Sequence, residues 1–268
     1  MNANNVSKEG AAVKLSRRLA ALSEWVPQGA RFADIGTDHA LLPVYLAGSG
    51  KISFAVAGDV NAGPVEAAKR QVAEAGLAGL VSVRHGDGLT VLEPGEVDTV
   101  CIAGMGGSLM VRLLEAAGER LNGVNTLILS PHVAEEAVRR WLTEHGFVLD
   151  REALLEEDGV IYTMLRAERE ADRREADRRN GELYGTGALA PCVRSVSKPL
   201  LFEMGPLLFR QGGSAFHRKW EQEIAKREQI IGQMKRSTAP EAAEKIKEWE
   251  SSVAEIREVL ACSPEEKP

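Results

Sequence analysis

Cysteine is scarce in this sequence. Cys101, Cys192 and Cys262 are the only three in 268 residues. They are odd in number, widely spaced and in no ligand pattern, which argues against a disulfide scaffold or a zinc site and for a reducing compartment. No metal is expected. No apolar run approaches the length of a membrane span, so no membrane partner is expected either. The opening MNANNVSKEG lacks the apolar core of a secretory signal, and the expected location is cytoplasmic. Phosphate-binding signatures are missing too. There is no P-loop, and no Gly-x-Gly-x-x-Gly: after Gly36 come Thr37, Asp38, His39 and Ala40. Gly-x-Ser-x-Gly is absent, which removes a hydrolase elbow around Ser130. Positive charge is in deficit. Lys and Arg number 33 against 39 Asp and Glu, a net charge of −6, which counts against a nucleic-acid partner unless basic residues cluster locally.

What is present is organised around Arg31 to Pro43, RFADIGTDHALLP. Phe32 to Ile35 reads as the end of a buried strand, Gly36 as a turn, and Asp38-His39-Ala40 as the opening of a helix over about 38–48. Such a strand–turn–helix join is where a doubly wound sheet builds a ligand site. Upstream, residues 11–26 place apolar groups at helical spacing until Pro27-Gln28-Gly29 stops them. Downstream, strands are expected at 52–59, 81–85, 97–103 and 125–129, alternating with helices at about 61–75, 107–117 and 134–145. Residues 147–155 and 160–167 flank Glu157-Asp158-Gly159, a hairpin signal. The expectation is an α/β fold with a mostly parallel sheet and one antiparallel strand.

From about residue 168 the character changes. Glu170 to Arg174 is repeated in residue type by Glu175 to Arg179, nearly all charged, so a solvated helix or a disordered linker is expected. A Gly-, Pro- and Ser-rich stretch follows, and Leu200 to Phe209 is expected to rejoin the sheet or pack on it. Trp220, Ile224, Arg227, Ile231 and Met234, then Ile246, Trp249, Val253, Ile256 and Leu260, alternate in spacings of four and three. That is the pattern of an α-helical hairpin with a coiled-coil-like seam. Three segments are therefore expected: 1–168, a connection 169–212, and the hairpin 213–268.

Ligands of an open parallel sheet bind beyond the carboxyl ends of its strands. Those ends carry Asp34, Gly36, Thr37 and Asp38; then Asp59; then Asp87 and Gly88; then Gly104-Met105-Gly106-Gly107; then Ser130-Pro131-His132. Any one of these acids is an ordinary turn residue taken alone. Acids at three successive tips, each with a glycine beside it, point to a site. Asp59 is placed to accept from ribose hydroxyls and Asp87 from an adenine amino group, while Gly36 and Gly104 permit close backbone approach. A ring of acids repels phosphate. S-adenosylmethionine fits better, since it is an adenosine without phosphate that carries sulfonium and ammonium charges for Asp34 or Asp38 to face. His39 and His132 are candidate bases, with a local hydrogen-bonding role for His39 as the competing reading.

Together these motifs resemble one family. Leu15-Ser16-Arg17-Arg18-Leu19, Ala33 to Ala40 with Leu42-Pro43, Gly58 to Pro64, Gly86 to Leu89 and Ile102 to Gly107 look like the bacterial tRNA (adenine-22-N1)-methyltransferases of the TrmK type. The resemblance covers about residues 11–168. It implies a class I, Rossmann-like methyltransferase sheet, S-adenosylmethionine as donor, tRNA as partner, and N1 of an adenine in the D-arm as acceptor. Where that family usually shows Gln-Pro-Asn, this chain has Ser130-Pro131-His132.

The expected cofactor-binding set is Asp34, Gly36, Thr37, Asp38, His39, Asp59, Val60, Asp87, Gly88, Gly104, Met105 and Gly106. Asp38 is the first candidate and His132 the second for taking the N6 proton of the methylated base. Residues 166–218 hold more Lys and Arg than Asp and Glu, and Lys14, Arg17 and Arg18 form a second basic patch. Lys14, Arg17, Arg18, Arg210 and Arg218 are accordingly expected to bind RNA, and the protein to act as a monomer. Two other readings compete: the same fold acting on another RNA base or a small molecule, and a non-catalytic RNA-binding or ligand-sensing module.

Overall fold

The computed structural model describes residues 13–185, 196–236 and 242–263. The helix start expected at residue 11, much of the Gly-, Pro- and Ser-rich stretch, and the Ser237-Thr238-Ala239-Pro240 break lie outside them. The described chain divides into two compact units. One runs through Val133 and includes Leu165–Arg169; the other holds Ala134–Met164 and the chain from Glu170 onward.

In the first unit, α1 spans Arg17–Trp25. It starts later than apolar spacing alone implies, because Ser16 is its N-cap and accepts from the Leu19 N–H at 3.2 Å. Then β1 (Ala30–Ile35), α2 (Leu41–Gly48), β2 (Ile52–Asp59), α3 (Ala62–Glu74), β3 (Val81–His85), β4 (Thr99–Met105), α4 (Gly107–Ala117) and β5 (Thr126–Pro131) alternate as expected. Phe32, Ala33, Ala55 to Ala57, Val100 to Ile102 and Leu127 to Leu129 are all essentially without exposure. Near-continuous apolar runs of this kind belong to parallel strands covered on both faces.

The second unit begins with α5 (Glu135–Glu144) and β6 (Phe147–Glu157), and the hairpin turn at Asp158-Gly159 leads into β7 (Val160–Arg169). The sheet order is β3-β2-β1-β4-β5-β7-β6. β1 through β5 are parallel, and the end of β7, which belongs to the first unit, pairs antiparallel with β5 from Thr126↔Glu168 to Leu129↔Leu165. The expected mostly parallel sheet with a reversed strand is present.

The duplicated charged stretch is α6 (Arg173–Leu183), with ion pairs Arg173–Asp177, Arg178–Glu175 and Arg178–Glu182 on its exposed side, and Ala176, Asn180 and Leu183 buried. Leu200 to Phe209 does not rejoin the sheet as a strand but packs on it, against β6. It forms two short helices, α7 (Lys198–Met204) and α8 (Pro206–Gln211), separated by Gly205. What anchors them is a buried ion pair. Arg139 Nε meets Glu152 Oε1 at 2.8 Å, with Arg139 1% and Glu152 2% exposed. Arg139 Nη1 also donates to the Phe202 and Glu203 carbonyls, and Glu152 Oε2 accepts from the Leu207 N–H at 2.8 Å.

α9 (Ser214–Met234) and α10 (Ala242–Cys262) run antiparallel. His217 bonds the Ser263 carbonyl, while Lys235 pairs with Glu250. Trp220, Ile224, Ile231, Val253, Ile256 and Val259 are buried. The other expected seam positions, Arg227, Met234, Ile246, Trp249 and Leu260, are only partly buried, and Val259 takes the last buried place, so the expected coiled-coil-like seam is matched only in part. Cys262 is disulfide-bonded, while Cys101 is free and buried.

Candidate functional site

The strand order reverses at β1, which has β2 on one side and β4 on the other. A crevice opens at such a switch point. β1 delivers Asp34 beneath it, 7% exposed. The chain leaves β1 through Gly36 at φ +75, and the Gly36 and Thr37 N–H groups both donate to the Gly58 carbonyl, at 2.8 and 3.0 Å. A Cβ at Gly36 would run into the methyl end of Met105, so this position needs glycine both for its φ and for space.

Thr37, fully buried, donates its Oγ1 proton to Asp34 Oδ2 at 2.6 Å. Burial nonetheless pushes the Asp34 carboxyl up to about 6, against the downward pull of the Thr37 hydrogen bond. The negative charges of Asp38 and Asp59 push in the same direction as burial. A carboxylate held this way is stabilised by a cation placed beside it.

The next stretch departs from expectation. His39 and Ala40 sit in the left-handed region at φ 57 and 53, and the helix begins only at Leu41, so Asp38, His39 and Ala40 precede it. Two consecutive non-glycine residues there store backbone strain. Asp38 and His39 point to solvent, 81% and 57% exposed, and pair at 3.4 Å.

The other tips complete a cleft of about 360 Å³. Gly36, Asp59, Val60, Asp87, Gly88, Gly104 and Met105 line it, as do Ile35, Asn61, Leu109 and Leu113. Asp59 Oδ1 accepts from the Asn61 N–H at 2.7 Å, which fixes the carboxylate at the end of β2. His85 Nε2 lies 2.9 Å from the Val60 carbonyl and holds the adjoining loop. Asp87 is exposed at the cleft edge. Gly106 caps α4 rather than lining the cleft.

The β4 and β5 tips are clamped together. The His132 N–H donates to the Met105 carbonyl at 2.9 Å, and the Gly107 N–H donates to the Val133 carbonyl at 2.7 Å. His132 is exposed, and Val133 is 62% exposed.

Of the expected cofactor set, seven residues line the cleft, Asp34 and Thr37 lie buried beside it, and Asp38 and His39 stand on the strained turn. Sequence reasoning missed Leu109 and Leu113. Their spacing of four, directly after the Gly-rich tip, was the available signal. It also missed His85, whose bond to Val60 depends on tertiary placement.

The expected RNA-binding residues fall in both units. Lys14 and Arg17 are exposed at the start of the first unit, whereas Arg18 turns inward. In the second unit, Arg210 donates to the Glu182 and Leu183 carbonyls at the end of α6, and Arg218 pairs with Glu156 at 2.5 Å. Among the described residues no group of His, Cys, Asp and Glu is arranged to hold a metal ion, and no helix is long and apolar enough to cross a membrane.

Comparison with known proteins follows the same line. Residues 32–258 match the family described as TrmK, tRNA (adenine(22)-N(1))-methyltransferase. The chain belongs to this family. A Bacillus subtilis (strain 168) protein named tRNA (adenine(22)-N(1))-methyltransferase is 39% identical over 249 residues, covering 92% of this chain and 98% of that protein. The crystal structure of the B. subtilis M1A22 tRNA methyltransferase TrmK is similar at TM-score 0.82 and 38% identity, over 92% of this chain and 99% of that one. Streptococcus pneumoniae Sp1610, a putative tRNA (m1A22) methyltransferase solved in complex with S-adenosyl-L-methionine, is similar at TM-score 0.75 and 31% identity, over 92% of this chain and all of that one.

Proposed function

We propose that this chain is an S-adenosylmethionine-dependent methyltransferase acting on N1 of adenine 22 in tRNA. The observation that carries the reading is the cleft at the β1–β4 switch point. Asp59 and Asp87 line it and Asp34 lies buried beside it, so carboxylates stand at three successive strand tips with no phosphate-binding loop, inside a chain of the tRNA (adenine(22)-N(1))-methyltransferase family.

The residues fit S-adenosylmethionine. Gly36 brings bare backbone to the cleft wall, where a Cβ would collide with the Met105 methyl. Asp59 would hold the ribose hydroxyls and Asp87 the adenine amino group. Asp34, an acid displaced upward by burial, is ready to be stabilised by positive charge. When bound, S-adenosylmethionine supplies an electrophilic methyl group on a sulfonium.

The protein's task is then chiefly orientation. Adenine N1 carries a free lone pair once unpaired, so no strong base is needed to begin. Holding reactants in line is worth roughly 7–11 kcal/mol, and extruding a stacked base costs a few. The N1-methylated adenine is cationic and sheds a proton from N6. Asp38, exposed and beside the site, is the first candidate to accept it, with His132 second. In this reading residues 1–168 carry the chemistry. The connection 169–212 and the helices beyond it take tRNA together with α1, and the protein acts where tRNA is found, in the cytoplasm.

The test is methylation of bulk tRNA from a strain lacking the activity, followed by mapping of the modified nucleotide. N1-methyladenosine at position 22 supports the reading. A methyl group on another base, or on no RNA at all, returns the assignment to the wider methyltransferase fold, where fold alone does not set the acceptor.

A further inference from the structure

Arg18 does not behave like its neighbours in the N-terminal basic patch. Lys14 and Arg17 face solvent, but Arg18 is half-buried, with Nη1 shut off from solvent. Its guanidinium lies over the tip of β4. A Cβ built on Gly104 would stand 3.8 Å from both Arg18 Nη1 and Nη2, and 3.7 Å from His132 Nε2. Gly104 holds φ +81, so the glycine leaves open the point on which a guanidinium and an imidazole converge. Arg18 is also close enough to the buried Cys101 thiol to oppose the upward push that burial and Asp34 give it.

The sheet order says what this point faces. The groups that suit an adenosine, Asp59 and Asp87, stand at β2 and β3. Asp34 and Gly36 stand at β1, and Gly104 and His132 at β4 and β5. Across β3-β2-β1-β4-β5 the donor therefore occupies one side, and a group approaching its methyl end must come from the β4–β5 side. Arg18, His132 and the exposed Val133 are what that side presents.

We infer that Arg18 is a recognition residue for the acceptor purine, donating to a ring nitrogen of the target adenine, and not a phosphate-gripping residue of the tRNA-binding surface. The inference rests on the methyltransferase reading above. A guanidinium has donors only. On adenine it can address N3 or N7 and leaves N1 free to react. The amino group at N6 is left to an acceptor, for which His132 is adjacent. A phosphate contact, by contrast, needs a cation turned to solvent, where neutralising the backbone releases counterions.

The experiment uses the full-length protein and tRNA transcripts. Arg18→Met and Arg18→Lys are compared with the unaltered protein for turnover at saturating tRNA, for tRNA affinity as a function of salt, and for S-adenosylmethionine binding by calorimetry. In parallel, the unaltered protein is given tRNA carrying 3-deazaadenine or 7-deazaadenine at position 22. Either replacement leaves N1 more electron-rich, so a lower rate reports a lost contact and not a weaker nucleophile.

The expected result for Arg18→Met is at least a tenfold loss of turnover, with tRNA affinity and salt slope unchanged and with partial recovery in Arg18→Lys. One of the deaza substrates should lose at least tenfold with the unaltered protein and show no further loss with Arg18→Met. The assignment is overturned if Arg18→Met weakens tRNA binding, lowers the salt slope by about one and turns over normally at saturation. It is equally overturned if both deaza substrates react at full rate, an outcome that stands even if the variants fail to fold. A lack of methylation of unmodified tRNA by the unaltered protein would sink the methyltransferase reading and this assignment with it. Normal methylation together with either overturning result would sink this assignment alone.

Discussion

Thr37 Oγ1 donates to Asp34 Oδ2 at 2.6 Å in a position where both side chains are almost wholly enclosed. The hydrogen bond lowers the cost of the carboxylate without cancelling it. Burial still holds Asp34 near a pKa of about 6, above its ordinary 3.8. The folded protein therefore keeps this proton to higher pH than the unfolded chain does. Stability contributed by the site is full below about pH 4, falls as pH climbs through 6, and stays low above it. The shift corresponds to about 3 kcal/mol at most. Asp34→Asn keeps an acceptor for Thr37 and removes the charge. It should stabilise the protein by about 1–3 kcal/mol at pH 8, with the gain shrinking toward pH 4. Thermal melts across that range check this, and a constant difference at every pH would refute it.

The same carboxyl links pH to the donor. S-adenosylmethionine needs Asp34 ionised if its positive charges are faced by it. Affinity should be flat above about pH 7 and fall below 6, approaching tenfold per pH unit. Asp34→Asn should bind weakly at all pH values, with no such slope. Calorimetric titration between pH 5 and 8 reads both. An unaltered slope in the variant would move the dependence to another group.

Asp59 makes a separable contribution. Its Oδ1 already holds the Asn61 N–H, so Asp59→Asn preserves the loop while discharging the group proposed for the ribose hydroxyls. Hydrogen bonds to charged groups are worth about 1.5–3 kcal/mol, so affinity for S-adenosylmethionine should fall roughly 10- to 150-fold. The melting temperature should stay within a degree or two. A fall in stability with unchanged affinity would mean that Asp59 serves the loop and not the ligand.

Much of this site was legible in the chain. Acids and glycines at strand tips recur locally, and each strand–helix unit carries its own stop and start signals. The Asp158-Gly159 turn announced its hairpin for the same reason. What was not legible depends on distant partners. Arg139 and Glu152 are charged residues on what read as an ordinary helix and strand, and only the fold buries them against each other and against the α7–α8 backbone. The late start of α2 follows from the left-handed pair His39-Ala40, which no residue preference signals, since alanine ordinarily avoids that region. Arg18 read as one cation among three, and its inward turn is a tertiary fact.

Gly36 and Met105 offer a test of close packing. Gly36→Ala adds a methyl where Met105 already lies and forces alanine into φ +75. The left-handed conformation alone costs about 1 kcal/mol or more, and the displaced Met105 adds to that. Met105→Ala in the same chain should recover the packing part and leave the backbone part, so the two substitutions should be non-additive by about 0.5–2 kcal/mol. A denaturant-melt double-mutant cycle measures the coupling. Strict additivity would show that Met105 swings away freely.

The Arg139–Glu152 pair sets the stability of the second unit. Both groups are enclosed, and each also satisfies backbone groups of α7 or α8, so removing one leaves an uncompensated charge and orphaned partners. Glu152→Gln should cost about 3–5 kcal/mol, while the joint replacement Arg139→Met with Glu152→Leu should cost less than the sum of the two singles. It will not be free, because the Phe202 and Glu203 carbonyls and the Leu207 N–H lose their partners in either case. Urea melts of Glu152→Gln, of the singles Arg139→Met and Glu152→Leu, and of their double decide it. If Glu152→Gln melts with the unaltered protein, the pair is not what holds α7 and α8 in place.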